Sequence, residues 1–158
     1  MDMMTLERPR LRGRLHLLAF VVSLAGLVWL VRSAPTPRAQ LAAWIYGLAG
    51  SLLYLTSASY HVFTRSPHAR RIMQRIDHSM IFVLIAGSFT PVCLLVLDGA
   101  WRWVALGLMW GGAVAGILIK TIAFERYGNF GSALYIILGW GALGTLPMLL
   151  SRPRLLVL

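Results

Sequence analysis

The sequence predicts an all-α bundle that crosses a membrane several times. Of its 158 residues, 58% are hydrophobic and only 13% charged, against roughly a quarter charged in soluble domains. The apolar residues gather into five stretches, each near the ~20 residues that a helix needs to cross a ~30 Å hydrocarbon layer. Their apolarity is continuous rather than alternating, which argues for helices and against a β-barrel.

Residues 1–14 are polar and basic, with Arg8, Arg10, Arg12 and Arg14 around Pro9. The first apolar span runs from about Leu15 to Val31. A basic start before an apolar run also fits a signal peptide. Cleavage after Ala34 would place Pro35 next, however, and the run is long for such a leader, so a retained span is expected. After Pro35, Pro37 and Arg38 the second span covers about 41–63. The third is expected over 77–97, following a basic loop at 64–76, and Asp98-Gly99-Ala100 makes a tight turn. The fourth and fifth spans are expected over 103–124 and 132–150. Together 15–158 form one transmembrane domain behind the basic segment.

Arginine distribution sets the expected orientation, because basic residues are retained on the cytoplasmic side. With the N-terminus inside, the inner segments hold nine arginines, including Arg65, Arg70, Arg71, Arg75 and Arg126, and the outer segments hold five. The expected location is therefore the cell membrane, multi-pass, with a cytoplasmic N-terminus, in a bacterial inner membrane. The net charge of +10 reads as topology and contact with anionic headgroups. Nucleic acid is not an expected partner, because no stretch is long and polar enough to form a separate basic surface. Trp29, Trp44, Trp101 and Trp103 fall near the expected outer surface, and Phe63, Tyr127 and Phe130 near the inner one, as aromatic belts do. Trp110 and Trp140 fall mid-span and read as core aromatics. Cys93, the single cysteine, reads as a small core residue.

Small residues mark close helix approach: Gly107 with Gly111 and Gly112 with Gly116 form two GxxxG pairs, and Gly139, Gly141 and Gly144 crowd the fifth span. Packing within one chain is the expected use. Pro91 and Pro147 are expected to kink their helices.

Ionisable residues beside a bilayer are functional candidates, and three polar residues gather where the second and third spans meet the basic loop. Ser57 and His61 lie four residues apart and share a helix face. Asp77 opens the next span on the same side of the membrane. Plainer readings stand beside this one: Asp77 as a helix N-cap, His61 as a snorkelling side chain, Ser57 as a group bonded to its own helix backbone. Of the other histidines, His16 falls in the basic start, His68 in the loop, and His78 points about 100° away from Asp77.

The text SASYHVF at 57–63, DHS at 77–79 and IAGSFTP at 85–91 resembles the hemolysin III family, which shares a superfamily with the progestin and adipoQ receptors and the alkaline ceramidases. The resemblance implies a seven-helix fold with five spans present here, and a zinc site at the cytoplasmic side. By that resemblance His61 is a zinc ligand, and Ser57 and Asp77 support the zinc-bound water. Zinc held by three protein ligands keeps one position for water, whose pKa falls toward about 7, and a carboxylate can take its proton. The implied activity is hydrolysis of a membrane lipid amide. The family's two last-helix histidines have no counterpart, and the chain stops after the four apolar residues following Arg154. It therefore reads as C-terminally truncated, with zinc binding and catalysis impaired. Two other functions remain open: a membrane-perturbing, pore-like hemolytic protein, and a non-catalytic receptor-like membrane protein.

Overall fold

The computed structural model describes residues 10–64, 66–122, 124–141 and 144. Among them the regular structure is helical, and the order is α1 (Arg10–Ser33), α2 (Pro37–Val62), α3 (Pro67–Leu95), α4 (Gly99–Ile122) and α5 (Phe124–Gly141). Each helix packs on the next, and α5 also reaches α3. Four of the five, α1 to α4, are long and apolar enough to cross a membrane. The all-α, multi-pass class expected from the sequence is what the structure shows. The second half of the expected 132–150 span, Pro147, and the apolar C-terminal run lie outside the described residues, as do residues 1–9 and Arg65.

Local chemistry explains where the helices begin. Thr36 and Ser66 each sit in extended backbone and accept a hydrogen bond from the amide three residues on, at 3.2 Å, with proline as the first helical residue. The side-chain oxygen satisfies an amide with no helical partner, and proline has no amide to satisfy. At the other tight connection Gly99 holds φ +58°, a left-handed conformation that glycine adopts without steric cost. Arg102 closes this turn, donating from Nε to the Leu97 carbonyl at 2.9 Å and pairing with Asp98 at 3.2 Å.

The main departure from expectation concerns α3. The sequence suggests a loop over 64–76 and a helix starting at Asp77, but the helix starts ten residues earlier. Asp77 is thus no N-cap; Ser66 is, and His68 lies in the first helical turn. At 1.5 Å per residue the 29 residues of α3 reach about 43 Å, well beyond a ~30 Å hydrocarbon layer. Polarity marks where the hydrocarbon ends, not where the helix ends. For the same reason α5 starts at Phe124 rather than near Ser132.

Two side-chain clusters make the core between α3, α4 and α5. One joins Phe89, Cys93, Leu97 and Met109; the other joins Phe82, Ala86 and Ala113, with Leu134, Tyr135 and Leu138 against it. Cys93 is fully buried as expected. The two GxxxG pairs divide their tasks. Gly112 and Gly116 face inward, where an added Cβ would strike Leu138 and the Phe82 ring, whereas beside Gly107 and Gly111 there is open space. Trp110 is half-buried and donates from Nε1 to Thr90 Oγ1 at 3.1 Å. Trp140, expected in the core, is instead 70% exposed, because α5 turns Leu134 and Leu138 toward its neighbours.

α1 and α2 meet along an antiparallel seam of constant register. Gly13 lies against His61, His16 against Ser57, Ser23 against Ser51, and Leu27 against Gly47. The glycines at the two ends of the seam allow the backbones to approach closely: a Cβ on Gly13 would stand 2.6 Å from Val62 Cγ2 and 3.0 Å from His61 Cβ.

Candidate functional site

The close approach at Gly13 decides what surrounds His61. α1 is drawn against the last turn of α2, and His16, one turn along α1 from Arg12, enters the space beside Ser57. His16 Nδ1 and Ser57 Oγ share a hydrogen bond of 2.7 Å. The His16 and His61 rings face edge to face-plane with centroids 6.3 Å apart, and Tyr60 leans on His61 at 4.8 Å. Tyr54 meets the other side of His16 at 6.0 Å. Ser57 is buried, at 5% exposure, while His16, His61 and Asp77 are half-buried.

Asp77 comes from the third turn of α3. Its charge acts on His61, together with those of Arg12 and Arg70. The three residues singled out from the sequence are therefore brought to one end of α1, α2 and α3, but their partnerships differ from those suggested. Ser57 bonds the α1 histidine rather than its own backbone, and His61 has a second imidazole as neighbour.

A second group of polar residues gathers where α3 meets α4 and α5. Tyr135 of α5 donates its hydroxyl to the His78 carbonyl at 2.7 Å, and Asp77 acts electrostatically on that tyrosine. Lys120, only 2% exposed, sits with its ammonium 5.5 Å from the Tyr135 ring centroid. Arg75 donates to the Thr121 carbonyl at 3.3 Å, and His78 Nδ1 donates to the Gln74 carbonyl at 2.7 Å. The Arg75 and Tyr135 bonds tie α3 to α4 and α5 on either side of Asp77 in the chain.

Sequence reasoning missed His16, Lys120 and Tyr135 as parts of this end of the bundle. Lys120 had a signal, since an ionisable group within an apolar span faces a bundle interior or water. His16 and Tyr135 had none, because their partners are far away in the chain.

The zinc ion that the resemblance implies would need three protein donors around one point. Among the described residues no group of three His, Cys, Asp or Glu side chains is placed to hold a metal ion. Ser57, the expected support for a metal-bound water, is engaged by His16. The described residues alone do not fit a zinc site, which needs three protein ligands with one open position.

Comparison with known proteins gives the context for this geometry. The family model described as haemolysin-III related matches residues 4–154. Hemolysin-3 of Bacillus cereus is 34% identical over 128 residues, covering 79% of this chain and 58% of that protein. The Hemolysin-3 homolog of Bacillus subtilis (strain 168) is 31% identical over 144 residues, covering 87% of this chain and 66% of the relative. Monocyte to macrophage differentiation factor of Homo sapiens is 24% identical over 133 residues, covering 79% of this chain and 54% of that protein. The chain thus spans about three-fifths of the length of these two Bacillus relatives. No solved structure matches.

Proposed function

This chain belongs to the haemolysin III-related family, and we propose that the end of the bundle holding His16, Ser57, His61 and Asp77 forms its share of a site for hydrolysing a membrane lipid amide. The single observation that carries this reading is the 2.7 Å hydrogen bond between the His16 imidazole of α1 and the Ser57 hydroxyl of α2, one turn from His61, on which the Asp77 charge acts from α3. In the same proposal the chain lies in a bacterial inner membrane with its N-terminus inside, so that the site faces the cytoplasm. The arginine balance supports that orientation.

The residues present can perform parts of such a reaction. Ser57 and His16 share one proton between oxygen and nitrogen, and either group can donate to a substrate carbonyl once the other holds the pair in place. Asp77 is a proton acceptor for a water attacking that carbonyl. Arg12 and Arg70 favour the carboxylate that amide cleavage leaves behind. Metal ligation by His61 needs donors beyond the described residues, so no step is assigned to an ion.

Purified protein in lipid bilayers, given a long-chain N-acyl amide, is expected to release fatty acid slowly, and Asp77→Asn and His61→Ala are expected to lower that release. Release that is equal in all three proteins would end this reading.

A second reading rests on the printed name of two relatives, Hemolysin-3 and its homolog. A membrane-perturbing protein would empty dye-loaded liposomes, and would do so equally well after His61→Ala.

A further inference from the structure

The basic end of the bundle carries more exposed apolar surface than an end in open water needs. Phe63, at the C-cap of α2, is 65% exposed, and Val62 before it and Ile72 and Ile76 of α3 are exposed as well. Ile72 and Ile76 lie four residues apart and form one stripe. Arg75 reaches the Thr121 carbonyl in the last turn of α4, so the residues of α3 from Pro67 to Gln74 overhang the end of α4. At 1.5 Å per residue the overhang is about 12 Å long. A bilayer of ~40–45 Å around a ~30 Å hydrocarbon layer has about 5–8 Å of headgroups on each side, so the overhang passes through a whole headgroup layer. Charge here has one sign. From Arg8 to Ile76 the sequence contains no aspartate or glutamate. Arg70 and Arg71 are exposed on the overhang. Arg12 and Arg14 are exposed on the first turns of α1, which the approach of Gly13 to Val62 brings against the end of α2.

We propose that the tip of the α2–α3 hairpin, with the first turns of α1, is a docking surface for anionic phospholipid. Phe63 and the isoleucine stripe enter among the first carbons of the acyl chains, as the apolar faces of interfacial helices do. The exposed guanidiniums take the phosphate oxygens, which their forked donors match in pairs. Free phosphate would satisfy the arginines and leave Phe63 and Ile72 in water. An acidic protein would have to displace the headgroups among which the overhang stands. A phospholipid brings both chemistries, at the depth where both are wanted, and a negative headgroup complements a surface of one sign. This goes beyond the lipid-amide reading and is independent of it, because neither Arg14 nor Arg71 has a part there.

The test places the full chain in nanodiscs of equal parts phosphatidylglycerol and phosphatidylcholine, transfers it to mild detergent, and counts the retained lipids by native mass spectrometry. Phosphatidylglycerol is expected to be retained in preference to phosphatidylcholine. Arg14→Gln/Arg71→Gln is expected to lower that preference at least tenfold, a change of about 1.4 kcal/mol. Arg14→Lys/Arg71→Lys, which keeps the charge, should retain most of it. Arg32→Gln/Arg38→Gln removes the same charge from the opposite end and should leave the preference unchanged. Phe63→Ser/Ile72→Ser should weaken retention of phosphatidylglycerol although every arginine remains. All of these side chains are exposed, so the fold is expected to survive each substitution. Equal losses from the two ends would show that net charge alone attracts the lipid, and would overturn the surface. A preference that survives Arg14→Gln/Arg71→Gln overturns it too, as does undiminished retention in the serine variant. Displacement of the lipid by a soluble polyglutamate peptide would overturn it in favour of an acidic protein partner.

Discussion

His16 Nδ1 stands 2.7 Å from Ser57 Oγ although 41 positions separate the two residues in the chain. Ser57 is buried, so loss of its partner leaves a hydroxyl away from water, which costs about 1–3 kcal/mol. The separate effects of His16→Ala and Ser57→Ala are therefore expected to sum to more destabilisation than the double substitution causes. A double-mutant cycle of thermal unfolding in detergent should give a coupling of about 1 kcal/mol. Simple additivity would show that the bond contributes nothing.

The two glycine pairs of α4 offer a contrast at constant chemistry. Gly116→Ala pushes a methyl into the Phe82 ring, a side chain with 0% exposure, and overpacking of this kind costs about 1–3 kcal/mol. Gly107→Ala meets open space and should be neutral or stabilising by up to about 1 kcal/mol, through helix propensity. Melting temperatures of the two variants measured side by side decide the matter; equal shifts would refute the packing described for α4.

Orientation can be read by thiol labelling in intact cells and in inverted vesicles, since the native Cys93 is buried. Leu11→Cys and Arg71→Cys, at the exposed basic end, are expected to react only from the cytoplasmic side. Arg38→Cys and Ala100→Cys should react only from the other. The reverse pattern would place the His16–Ser57 end outside and remove the cytoplasmic site.

Zinc content follows from the donor set. Among the described residues no three donors are placed to hold an ion, and fewer than three protein ligands bind zinc weakly, so this chain, purified and washed with chelator, should carry well under one zinc per molecule. Its melting temperature should not change on chelation, because an ion that does not bind the folded state cannot stabilise it. Zinc near one per chain that disappears with His61→Ala would restore the ligand role implied by family resemblance.

Much of the fold was legible because one property dominates it. Continuous apolarity located α1, α2 and α4 to within a few residues, and charge asymmetry marked the basic end. The start of α3 was misread because helix propagation does not stop at the membrane surface: Ser66 and Pro67, not Asp77, carry the signal for that boundary, and a capping serine with a following proline is easily passed over beside four arginines. Trp140 was misplaced for a related reason, since mid-span position says nothing about which side of a helix meets its neighbours.

The sequence by itself determined that this is a membrane-crossing helical protein, and offered Ser57, His61 and Asp77 as candidates through residue type, position and family resemblance. Their company was decided only in three dimensions. Which α1 side chain faces Ser57 depends on the register of the α1–α2 seam, and that register depends on Gly13 and Gly47 letting two backbones meet. Spacing within a helix is written in the chain, because the helical repeat is constant. Contact between helices is written in side-chain volume at both surfaces at once, and only the folded molecule brings the two surfaces together.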